Sequence, residues 1–231
     1  MSDAPSPAAA VPERPPFWFR RRRIPLPTWR LWFVLLSAAA IAAWLFIPRL
    51  HGWLAVVDPV PDAPYVIVEG WVPEYVLEQV MEDTDTPAVK RIFTTGVPLD
   101  HGTFLTEFRD YAHLSALTMA KMGIDPQRIC AAPAQEVKLE RTRAMAAALK
   151  VVLDGENIPA ADRRINLYTL GTHARRSRRI FQETLGPGWQ VGVIAIPSRD
   201  YDAAQWYKQS AGAKTVINEL IALIMQSGGG Q

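Results

Sequence analysis

From Tyr65 onward, short apolar runs alternate with longer stretches whose apolar positions recur at three- and four-residue spacings. Tyr65–Val68, Arg91–Thr94, Ile129–Ala132, Ile165–Leu170 and Val191–Ile196 are rich in β-branched or apolar residues and end at Gly, Pro or charge, the mark of strands. Between them, Glu74–Met81, Phe104–Met122, Leu139–Leu153, Arg175–Leu185 and Ala213–Met225 carry helical periodicity. Strand alternating with helix predicts an α/β fold, a three-layer Rossmann-like sandwich around a mainly parallel sheet, over residues 64–227.

Before this region the pattern differs. Leu31–Ile47 contains no charged residue across 17 positions, about 25 Å as a helix and enough to span a bilayer core. Trp29, Trp32, Trp44 and Trp53 fall near the expected interfaces. Four arginines, Arg20–Arg23, precede it and only Arg49 immediately follows. That bias puts the N-terminus in the cytoplasm and the folded region in the periplasm, with residues 31–50 anchored in the inner membrane. A cleaved signal peptide is the competing reading, because Ser37–Ala40 supplies small residues, but the apolar run continues through Leu45–Ile47. Residues 1–30, rich in Pro, Ala and Arg, read as a disordered basic tail, and residues 51–63, with Pro59 and Pro61, as a linker.

Composition narrows the function classes. The net charge is +2, yet the first 50 residues hold seven arginines and two acids, leaving 18 basic and 21 acidic residues beyond them. The folded region is not a nucleic-acid binder by charge. One cysteine, Cys130, excludes an internal disulfide and reads as a small buried hydrophobe. There is no Gly-x-Gly-x-x-Gly, Walker sequence or Gly-x-Ser-x-Gly elbow, and no clustered His, Cys or Asp with metal-ligand spacing. No cofactor is implied.

Candidate chemistry gathers at the C-terminal strand ends, where ligands of open parallel sheets bind. Five segments should meet there: Glu69–Trp71, Thr94–Gly96, Gln135–Glu136, Gly171–His173 and Ser198–Tyr201. The densest is Gly171-Thr172-His173-Ala174-Arg175-Arg176, a glycine turn opening an arginine-rich helix. With Thr172 as N-cap, its first N–H groups would face an anion. His173 and Arg176, three apart, are neighbours on that helix. His173 is the first choice for general acid or base because histidine titrates near neutrality, with Arg176 as the clamp and Glu136 as supporting carboxylate. Glu69, Gly70, Thr95, Gly96, Arg141, Thr142, Gly171 and Thr172 complete the expected ligand-binding set. The bland alternative is a solvated basic face behind a capping turn. Trp71, Trp206 and Tyr207 are expected in packing, His51 at the interface, and Asp100-His101 in a plain turn.

At Thr94-Thr95-Gly96, Glu136, Arg141-Thr142 and above all Thr172-His173-Ala174-Arg175-Arg176, residues 63–225 resemble the SanA/ElyC/YdcF-like family, domain of unknown function 218. The chain departs from the family's pattern at Val97-Pro98, at Tyr111-Ala112 and in Ala144–Ala146, so the resemblance is to a divergent member. It implies a Rossmann-like envelope domain behind one membrane helix. It also implies a role with membrane lipid and phosphorylated intermediates such as a polyprenyl-linked sugar in cell-wall or polysaccharide metabolism. A non-catalytic envelope factor with an anion or nucleotide-type pocket is the alternative, and a soluble nucleotide-binding domain a third.

Overall fold

A computed structural model describes residues 28–102 and 107–228. Residues 1–27 of the expected tail and the start of the Phe104–Met122 window lie outside the described residues, while Trp29 and Arg30, expected in the tail, are already helical. Two compact units divide after Ala43, inside the first helix, α1 (Trp29–Leu54). The described part of the first unit is the N-terminal part of α1, its side chains almost all exposed. This helix is long and apolar enough to cross a membrane. It runs four residues past the expected end at residue 50, into the segment expected as linker, because His51 and Leu54 are buried in the second unit.

The second unit is a mixed α/β domain. Its strands are β1 (Tyr65–Glu69), β2 (Arg91–Gly96), β3 (Ile129–Pro133), β4 (Arg164–Leu170) and β5 (Gln190–Ile196). All pair in parallel in the order β3-β2-β1-β4-β5. The helices are α2 (Glu74–Thr84), α3 (Tyr111–Met122), α4 (Arg141–Gly155), α5 (Ala174–Leu185) and α6 (Ser210–Gly228).

Strand alternation builds two cores, one on each side of the sheet. Tyr65, Ile67, Ile165 and Leu167 pack with Met145 and Leu149 of α4 and Phe181 of α5. Val66, Val68 and Tyr168 pack on the other face with Val76 and Val80 of α2 and Met119 of α3. The sheet is therefore sandwiched between helical layers, and its central strand β1 is buried along its whole length. A third cluster joins Leu54 to Tyr201, Trp206, Val216 and Leu223 and seats α6 against the end of α1.

α3 begins at Tyr111, later than the periodicity suggested, because Asp110 caps it by accepting from the His113 N–H at 2.8 Å. The strand order places the topological switch between β1 and β4, since the chain moves outward from β1 through β2 and β3 and then returns to its other side.

Candidate functional site

β1 ends in Glu69, and β4 ends in a 3-10 turn, Gly171–His173, that leads into α5. Both ends lie at the switch. Gly171 adopts φ +47, a left-handed conformation that suits the sharp exit from the strand. Thr172 is not the expected N-cap: its hydroxyl is buried without a hydrogen bond of good geometry, although its dipole bears on the nearby Tyr201 phenol. The helix opens instead at His173, whose backbone is already helical.

Glu69 is completely buried, an expensive place for a carboxylate unless it is partnered. The Thr169 hydroxyl donates to Oε2 and the Ser177 hydroxyl to Oε1, the latter at 3.0 Å. His173 Nε2 stands 3.6 Å from Oε1 and 3.4 Å from the Thr142 hydroxyl. On the other side of the ring, Nδ1 lies 2.9 Å from Oε1 of Glu219, which α6 contributes. Arg176 completes the group through Nε to Glu219 Oε2 at 2.8 Å and Nη2 to Oε1 at 3.2 Å.

The electrostatics follow from this enclosure. Burial alone would push the His173 pKa down, but the charge of Glu69 and the hydrogen bond with Glu219 outweigh it and hold the ring at about 9. Glu219 also suffers burial, yet the bonds from His173 and Arg176 bring it down to about 2. The imidazole is therefore a cation at neutral pH, with Nδ1–H donating to Glu219 and Nε2–H facing Glu69. Arg176 Nη2 comes within 2.9 Å of Nδ1 because both groups point at the same carboxylate oxygen. Two cations and two carboxylates balance, giving an internally neutral network at the α5 N-terminus.

A cleft of about 310 Å3 opens above the network. Its lining includes the aromatic Trp71 and Tyr201, His173 and Glu219 of the network, and the polar Asp200 and Asn218. Trp71 stands edge-on to the His173 ring, with centroids 5.2 Å apart. It therefore lines the cleft as well as packing, whereas Trp206 is buried as expected.

The remaining candidates divide. Glu69, Thr142, Gly171, Thr172, His173 and Arg176 come together. Gly70, Thr95 and Gly96 do not take part: a Cβ on Gly70 would lie 2.4 Å from the Tyr111 carbonyl, and one on Gly96 2.4 Å from the Ala112 nitrogen. These glycines admit the first turn of α3 against the strand ends, so they serve packing where ligand contact was expected. Thr95 is buried and donates to the Val68 carbonyl at 3.4 Å. Arg141 is held away by a two-pronged pair with Asp100, at 3.1 and 3.2 Å. Glu136 is exposed on the loop after β3. The carboxylates on His173 are Glu69 and Glu219, so the expected role of Glu136 falls to them. His173, expected as general acid or base, has its pKa raised to about 9 by these carboxylates.

Sequence reasoning missed Ser177, Thr169 and Glu219. Glu219 carried a signal, as the one acid in the apolar run Val216–Met225. Ser177 follows His173 at a one-turn spacing. His51, expected at the interface, is buried with Nε2 3.2 Å from the Tyr201 hydroxyl. Among the described residues, no group of three or more His, Cys, Asp and Glu side chains is placed to hold a metal ion. No protein-family model matches the chain, and no curated protein matches it.

Proposed function

We propose that this chain is a membrane-anchored envelope protein whose switch-point cleft binds a phosphorylated, sugar-bearing intermediate of cell-wall or polysaccharide metabolism. In this reading it is a divergent relative of the SanA/ElyC/YdcF-like domains, with α1 in the inner membrane and the α/β unit in the periplasm. The observation that carries the reading is the cleft at the switch point, lined by His173 and Glu219 together with Trp71 and Tyr201. A cationic donor suits a phosphate oxygen, and flat rings beside Asp200 and Asn218 suit a sugar. The volume, about 310 Å3, fits a ring-sized group.

The geometry favours recognition over proton abstraction. Both nitrogens of His173 are engaged and its pKa of about 9 leaves little free base at neutral pH. Glu219 occupies Arg176 and His173 as an incoming phosphate would, so the ligand anion takes hydrogen bonds from His173 in exchange for part of those made by Glu219.

The test uses the full chain in detergent, titrated with inorganic phosphate, nucleotide sugars and polyprenyl phosphates while thermal stability is followed. A stabilising shift for the phosphorylated sugars or lipids, lost in His173→Gln and reduced in Arg176→Ala, is the expected result. Absence of any shift, or a shift indifferent to both substitutions, overturns the assignment of the cleft.

A further inference from the structure

The last turn of α1 is built into the α/β unit. His51 packs edge-on against Tyr201 with ring centroids 5.7 Å apart, and Leu54 is wholly buried beside Val216 and Leu223. Trp53 lies between these two anchors and remains 47% exposed. Its surroundings are basic. A groove of about 510 Å3 is lined by Trp53, Val56, Arg175, Arg178, Arg179 and Leu223, with Gln182 at its margin.

The three arginines are held differently. Arg178 pairs with Asp58 at 2.7 Å and Arg179 with Glu183 at 2.7 Å. Arg175 donates to the Trp53 carbonyl at 2.5 Å and stacks on its ring, with the guanidinium carbon 4.3 Å from the centroid. Arg175 has no carboxylate partner among the described residues. Burial, with the charge of Arg178 beside it, pushes its pKa down, as expected of crowded cations that a bound anion would relieve.

We propose that this groove binds the phosphate of an anionic phospholipid headgroup where α1 leaves the bilayer, with Arg175 and Arg178 on the phosphate and Trp53 and Val56 against the glycerol and upper acyl carbons. The proposal rests on the reading of α1 as a membrane span. Tryptophan at a span's end belongs to the headgroup level, and basic side chains beside a span attract anionic lipid. The helix that contributes Leu223 adds apolar surface. Ile217, Ile221, Ile224 and Met225 of α6 follow one another at helical spacing and are all exposed, while Val216 and Leu223 face inward. A helix apolar on both faces calls for a nonaqueous neighbour on the second, and lipid at the end of α1 supplies it.

The experiment reconstitutes the full chain into nanodiscs of mixed phosphatidylcholine and phosphatidylglycerol and counts the lipids retained by native mass spectrometry. Phosphatidylglycerol should be retained several-fold over phosphatidylcholine. The preference should vanish in the double variant Arg175→Gln, Arg178→Gln and persist in Lys150→Gln. Arg175→Lys, which keeps the charge and loses the fork, should retain part of it and guards against misfolding of the double variant. Equal retention of both lipids by an incorporated wild-type chain overturns the groove assignment and leaves the anchor standing. Stripping of the lipid by excess inorganic phosphate also overturns it, in favour of a soluble-phosphate site. A chain that does not enter the disc overturns the anchor and this proposal together, whereas the cleft titration in detergent is independent of either result.

Discussion

At the residue scale, the network around His173 makes stability a function of pH. The folded pKa of His173 is about 9 against 6.5 for the free side chain, so its contribution is complete below 6.5 and lost as pH rises through 9. Glu219 is depressed to about 2 from 4.5, so its contribution is complete above 4.5 and lost as pH falls through 2. The two shifts share the His173–Glu219 contact and so are not additive; each is on the order of 3 kcal/mol. Thermal unfolding followed across pH should show a plateau between about 4.5 and 6.5 from this network, and His173→Gln should flatten the alkaline decline. Glu219→Ala should cost more than a surface change, roughly 3 kcal/mol, because it leaves Arg176 without its carboxylate and His173 with Glu69 alone in a largely buried site; denaturant titration reads this, and an effect below about 0.5 kcal/mol would make the pairs ornamental. His173 and Arg176 were legible as neighbours from their spacing. The charge state of His173 was not, because the partners that set it lie 104 and 46 residues away, at Glu69 and Glu219.

At the element scale, the strand ends of β1 and β2 are shaped by α3. Gly96→Ala would press its Cβ against the backbone of Ala112, and backbone, unlike a flexible side chain, cannot swing aside. A loss of roughly 1–3 kcal/mol is expected, with hydrogen exchange accelerating in the first turn of α3; unchanged protection there would show that the helix does not depend on the close approach. Strands and helices were legible because both periodicities are strong. β1 is a buried, mainly apolar run, β4 alternates apolar and polar positions, and α5 hides Ala174, Phe181 and Leu185 on the face opposite its arginines. The capping was less legible. Thr172 has the right side chain for an N-cap, but the strand hands over through a 3-10 turn that carries its hydroxyl inward. Glycines at strand ends suggested ligand approach, and a helix backbone fills that space instead.

At the scale of the whole molecule, the membrane reading of α1 is open to a direct test. If α1 spans the bilayer, carbonate washing of membranes should leave the chain in the pellet, and truncation before Leu50 should release it to the supernatant; recovery of the full chain in the supernatant would refute the span. By itself the sequence determined the α/β class, the parallel sheet and the apolar segment, because each is written in local periodicity that needs no distant partner. It also determined that His173 and Arg176 share a helix surface. Tertiary structure decided which of the convergent strand ends became a cleft. The order β3-β2-β1-β4-β5 opens the switch beside β1, while α3 closes the ends of β1 and β2 to its side, excluding Gly70, Thr95 and Gly96 from the cleft. Tertiary structure also decided the chemistry. Glu69 reaches His173 across the sheet and Glu219 reaches it from α6, and only the field of those two carboxylates turns a near-neutral histidine into a fixed cation. Periodicity is a property of neighbours along the chain; charge state is a property of neighbours in space.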